Sequence, residues 1–238
     1  MSVDFAGVLR RRKPEKRQVR LKPCRSDELT GVGDLGAGRV ALVPDTNVYI
    51  NDAAGRLSPE VEALLDRALL FHCSVCVAEL ATGVANGDPS HRRWRATRDH
   101  YAGLAAAISP SRLLTPDAEI WAHAGVIAGT LARTQAFQAH GRKECVNDAL
   151  ILLTAMKAGL PVLTANRDEF DLNPTNRSRD PLSPVCVTNQ PGRVTRCAPD
   201  LRGQSSITRS LALISRRTCN ARGSEPSTDR YSAGPSFR

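Results

Sequence analysis

Two hydrophobic periods alternate along the middle of this 238-residue chain. Arg39–Pro44 (RVALVP) is short, apolar and partly β-branched, and it runs into the polar Asp45-Thr46-Asn47. That pattern predicts a buried strand ending in polar residues at its carboxyl end. Ser58-Pro59-Glu60 marks a helix start, with Ser58 as cap and Pro59 at the first helical position. Val61, Leu64, Leu65, Ala68 and Leu69 carry the helical period onward. His72–Val77 predicts a short strand, and Ala78–Val84 a short helix that breaks at Asn86-Gly87-Asp88-Pro89. His91–Ala107 is a further helical stretch, stopped by Ser109-Pro110, and Ser111–Thr115 reads as an edge strand. Asp117–Gln135 predicts a long helix with Ile120, Ala124, Ile127, Ala128 and Leu131 on one side. Phe137–Glu144 reads as a polar connector, Val146–Ala158 as a helix ended by Gly159, and Leu160–Thr164 as a buried strand. Strands separated by helices predict an α/β fold, a central parallel sheet flanked by helices on both faces. In such folds ligands sit beyond the carboxyl ends of the strands.

Charge divides the chain into three parts. Residues 1–40 hold ten Lys/Arg against five Asp/Glu, residues 41–174 twelve against fifteen, and residues 175–238 eleven against four. The basic character belongs to the ends, and the middle is mildly acidic. Residues 1–38 therefore read as a basic, mostly disordered extension, 39–174 as the folded domain, and 175–238 as a basic extension of low order. Within that tail only Val185–Thr188, as a short last strand, and Ile207–Ser215 have ordered character. Basic arms of this kind attract polyanions by charge alone, or simply solubilise the chain.

No run of about 18 apolar residues is present, so no membrane-spanning helix is expected. The amino terminus leads into Arg10-Arg11-Arg12-Lys13 rather than into an apolar signal region, which predicts a cytoplasmic protein. Seven cysteines, an odd number, do not make a secreted disulfide framework. Cys73 and Cys76 have the spacing of half a zinc clamp, but no second close pair follows, and both read as packed free thiols.

Four acids stand out by placement. Asp45 follows the first strand, Glu79 lies in the short helix after the second, Asp148 falls in the first turn of its helix, and Asp168 follows the strand at 160–164 with Asn166 beside it. The predicted topology brings these elements toward one sheet edge. Apolar neighbours such as Pro44, Ala78, Leu80 and Ala149 surround acids that rarely sit there uncompensated. Carboxylates drawn together repel, and Mg²⁺ or Mn²⁺, which take oxygen ligands, relieve the repulsion. Such a cluster without His or Cys suits phosphodiester hydrolysis. Taken singly, each acid could instead cap a helix or a turn.

Val43-Pro44-Asp45-Thr46-Asn47-Val48-Tyr49-Ile50 resembles the opening strand of PIN-domain ribonucleases. Ser74–Gly83 (SVCVAELATG), Asn147-Asp148-Ala149-Leu150-Ile151 and Leu163–Phe170 (LTANRDEF) resemble their second, third and fourth motifs, in the same order. The resemblance covers roughly residues 39–172 and is nearest to the VapC-like toxin subunits of bacterial type II toxin–antitoxin pairs. It implies a three-layer PIN-like fold and a Mg²⁺- or Mn²⁺-dependent endoribonuclease that cuts RNA. It also implies a homodimer and a cognate antitoxin protein that holds the toxin inactive. Asp45, Glu79 and Asp148 carry over as catalytic, metal-binding acids, and the variable fourth position falls on Asn166 or Asp168. Thr46 and Thr164 carry over as hydroxyls supporting the site. Arg142 and Lys143, with His140, are candidate phosphate contacts by position, and Arg92, Arg93, Arg95 and Arg98 form either a phosphate-holding flank of the groove or a solvated helix face. The alternative reading is a catalytically inactive PIN-like scaffold that binds a partner protein or nucleic acid through its basic extensions.

Overall fold

The computed structural model describes residues 3–20, 31–35, 37–136, 139–165 and 186–188, with backbone alone for 139–143 and 186–188. Its centre is a four-stranded sheet in the order β2-β1-β5-β6. These strands are β1 (Ala41–Pro44), β2 (Leu69–Leu70), β5 (Val162–Thr164) and β6 (Cys186–Thr188). A separate two-stranded ladder joins β3 (His72–Cys73) to β4 (Leu113–Leu114). Every described pairing is parallel, as the alternation of strands and helices predicts. Strand β1 is central, with Leu42 opposite Leu70 and Val43 opposite Val162. Val43 and Asp45 donate their amides to Pro161 and Leu163. Pro44, between them, faces the other way by strand alternation, so its missing N–H costs the β1–β5 ladder nothing.

The helices are α1 (Phe5–Arg12), α2 (Thr46–Ala53), α3 (Pro59–Arg67), α4 (Ser74–Asn86), α5 (Trp94–Ala107), α6 (Ala118–Gln135) and α7 (Ala139–Lys157). Helix α7 is the spine: Ala149, Leu150, Ile151 and Leu152 are consecutive and all fully buried. A helix buried all round must be enclosed by other elements, and α7 packs on α6, α4 and β3. Leu42 and Val43 of β1 and Val162 and Leu163 of β5 complete the core, all without exposed surface. None of the described helices is long and apolar enough to cross a membrane.

Several elements differ from the sequence expectation. The expected strand 72–77 shrinks to His72–Cys73, and α4 starts at Ser74. Its β-branched Val75 and Val77 imitate a strand, but Val75, Cys76 and Leu80 form one buried helical stripe. The expected connector at 137–144 belongs to α7 from Ala139 onward, so Asp148 stands in mid-helix rather than in the first turn. Leu69 leaves its helix to pair in β2. Helix α2 was hidden because TNVYINDA holds β-branched and polar residues of modest helix propensity. The amino-terminal stretch, expected to be mostly disordered, contributes α1. Asp4 caps it by accepting from Gly7 N–H at 2.8 Å, and Val8 is fully buried. Arg11 bonds Glu119 at 2.7 Å, and Arg12 bonds His123 at 2.9 Å. One buried valine and two cross-element arginine contacts leave no periodic trace in a sequence. The expected strand at 185–188 appears as β6, while 207–215 lies outside the described residues.

Candidate functional site

Strand β1 ends at Pro44 and delivers Asp45 to the carboxyl edge of the sheet. Its amide is fixed to Leu163 O at 2.8 Å, and its backbone (φ −74°, ψ 162°) starts α2. Asp45 is only 2% exposed. Its Oδ1 accepts from Thr46 N–H at 2.7 Å; its Oδ2 accepts from Thr164 Oγ1 at 2.8 Å and, at 3.4 Å, from Asn47 Nδ2. The capping role that the acid could have played alone is therefore real, but it occupies one oxygen only.

Glu79 approaches from α4, one turn beyond Cys76, and is half-buried. Its Oε2 accepts from the Thr46 hydroxyl. Its Oε1 accepts from Asn147 Nδ2 at 2.7 Å. Thr46 thus ties the two acids together, its amide on Asp45 and its hydroxyl on Glu79. Burial pushes the Asp45 carboxyl up from 3.8 to about 6, and the charge of Glu79 adds to this against the hydrogen bonds from Thr164, Thr46 and Asn47. The groups acting on Asp45 are one hydroxyl, an amide, a carboxamide and a carboxylate, with no cation among them.

Asp148 follows Asn147 on α7 and is half-buried. Among the described residues, no three or more His, Cys, Asp or Glu side chains gather closely enough to hold a metal ion. The structure thus brings Asp45 and Glu79 together and sets Asp148 beside the residue that touches Glu79. The donors present are carboxylate and hydroxyl oxygens, a set that fits a hard divalent cation. Cys73 and Cys76 are free and buried, as expected of packed thiols, and Cys76 donates to Pro44 O at 3.7 Å.

Asn166 and Asp168 lie outside the described residues, as do the side chains of Arg142 and Lys143. Of the other basic residues, Arg98 bonds the adjacent Asp99 and stacks over Trp94 at 5.3 Å on α5. Asn147 was not singled out from sequence, although it stands next to Asp148 in the run Asn-Asp-Ala-Leu-Ile.

A family model described as PIN domain matches residues 42–173, more than half of the chain. The chain belongs to the PIN-domain family. Its mixed architecture, a central parallel sheet flanked by helices, is that of a PIN domain. No curated protein sequence matches it. Among solved structures, this PIN-domain chain is similar to one described as the crystal structure of VapBC2 from Rickettsia felis bound to a DNA fragment from their promoter. The two share 18% identity over 57% of this chain and 94% of the other, with a TM-score of 0.39.

Proposed function

We propose that this PIN-domain protein is a metal-dependent endoribonuclease and the toxin of a type II toxin–antitoxin pair. The observation that carries the first part is the Asp45–Glu79 pair. Two carboxylates from different elements are bridged by one residue, Thr46, whose amide serves Asp45 and whose hydroxyl serves Glu79, and the buried one is held against its ionisation. The toxin reading draws on the four sequence motifs.

Asp45, Glu79 and Asp148 would hold Mg²⁺ or Mn²⁺, with Asn166 or Asp168 as the fourth ligand. When bound, such a cation makes its water a better nucleophile and neutralises charge on a phosphoryl oxygen. The chain's own residues do the rest. Thr164 and Thr46 N–H orient Asp45, and the Thr46 hydroxyl orients Glu79. Arg142 and Lys143, on α7 ahead of Asp148, contact RNA phosphates. A second copy of the chain and an antitoxin protein complete the assembly.

The scaffold alternative has its own support, since the Asp45 and Glu79 carboxylates already accept internal hydrogen bonds and no three-acid cluster is gathered among the described residues. RNA cleavage by the full chain separates the two. A nuclease loses cleavage in EDTA, regains it with Mn²⁺, and lacks it as the Asp45→Asn variant. A scaffold leaves RNA intact under all conditions, and binding through its basic arms persists in EDTA and falls with salt.

A further inference from the structure

Glu79 has a long side chain with three rotatable bonds, and it projects from α4 at a half-buried position. Such a side chain samples several rotamers unless other groups hold it. Its two carboxylate oxygens are each claimed from a different element: Oε2 by Thr46 of α2, and Oε1 by Asn147 of α7. Thr46 is itself fixed at the start of its helix, where its amide serves Asp45. Asn147 is the other anchor. It donates from mid-helix, just before the fully buried stretch Ala149–Leu152. Asparagine is a poor residue for a helix interior. An aliphatic side chain would serve that position better if packing were all that mattered. What the amide offers instead is a charge-assisted hydrogen bond to a carboxylate at 2.7 Å.

We propose that Asn147 is a positioning residue: its side-chain amide fixes Glu79 beside Asp45 and, through α7, sets the spacing between Glu79 and Asp148. The role rests on the reading of these acids as a cation site. Asn147 would not touch the cation. It removes the freedom that Glu79 must otherwise lose on binding, and it ties the helix carrying the third acid to the helix carrying the second. Partners of this kind behind metal ligands commonly change affinity by about 10–100-fold when removed.

The test uses the full chain with and without Mn²⁺. The Glu side-chain carboxyl carbons are ¹³C-labelled, and the Glu79 resonance is identified by its disappearance in Glu79→Gln. In Asn147→Leu, which keeps most of the volume and removes the donor, that resonance is expected to shift in the metal-free protein. Mn²⁺ affinity, measured by calorimetry, is expected to fall about 10–100-fold at a nearly unchanged melting temperature, with partial recovery in Asn147→Gln. Where the leucine variant does not fold, Asn147→Ser, whose hydroxyl is too short to span the gap, replaces it. An unmoved Glu79 resonance overturns the proposal, and so does wild-type Mn²⁺ affinity in the folded variant. A wild-type chain that binds no Mn²⁺ removes the cation reading instead. The Glu79 resonance then decides alone whether Asn147 holds that carboxylate.

Discussion

Asp117 and Asp45 both cap helices in this protein, and their surroundings treat them in opposite ways. Asp117 starts α6 with its Oδ1 accepting from Ile120 N–H at 2.9 Å, and it also contacts Lys157. The Lys157 ammonium and the α6 amides hold its carboxyl below the usual range. Asp45 starts α2 and likewise accepts an amide, yet burial pushes its carboxyl up to about 6. Asp117 lies on the surface with a cation; Asp45 lies at the strand ends with a second carboxylate. Capping lowers a carboxyl when nothing else intervenes. An aspartate that caps and is still raised is held where its charge is unwelcome, and such places are candidates for function.

The contrast can be broken most decisively through activity. Asp45→Asn keeps the cap, because Asn is as good a capping residue, and removes the charge. RNA cleavage is expected to fall about a thousandfold or more, corresponding to about 4 kcal/mol of transition-state stabilisation. Asp117→Asn is expected to cleave like the wild type. Equal losses in the two variants would erase the distinction.

Burial acts with the opposite sign at His72. This residue is fully buried with Nδ1 at 2.7 Å from Tyr49 Oη, and burial, aided by Arg112, lowers it from 6.5 to about 4. A depressed histidine contributes stability that is complete above pH 6.5 and is lost as pH falls toward 4, because the unfolded chain protonates first. The loss amounts to about 3 kcal/mol. In denaturant titrations across that range, His72→Gln is expected to flatten the acid limb.

Asp45 gives the smaller and reversed effect. Its raised carboxyl favours the folded state fully below pH 3.8, and that contribution disappears as pH rises through about 6. Without divalent cation, Asp45→Asn is therefore expected to exceed the wild type by about 1–3 kcal/mol at pH 8 and to match it near pH 4. A less stable variant at pH 8 would show that its hydrogen bonds, not its desolvation, dominate. The mildest change is Asp117→Ala, which removes an exposed cap. It is expected to lower the melting temperature by a few degrees and leave cleavage untouched.

Much of this arrangement is legible in the residues. RVALVP and the apolar run ending at Thr164 are buried strands because nothing polar interrupts them, and Asp117–Gln135 is a helix because its apolar period is long. Asp45 and Glu79 stand out as acids among apolar neighbours. What escapes notice depends on contacts between distant residues. Helix α1 is held by Arg11 and Arg12 reaching Glu119 and His123, more than a hundred residues away. Asn147 reads as one more polar residue in a helix until its amide is seen on Glu79. Asp148 reads as a helix-start residue from sequence because the polar residues before it mask two earlier turns of α7.

The central claim is that the carboxylates at the strand ends form one cation site. Calorimetric titration of the full chain with Mn²⁺ at neutral pH, beside Asp45→Asn, Asp148→Asn and Asp117→Ala, tests it most directly. Binding in the wild type and in Asp117→Ala, lost in the other two folded variants, is the expected result. A folded wild-type chain that binds no Mn²⁺, or an Asp45→Asn variant that binds it undiminished, would contradict the claim.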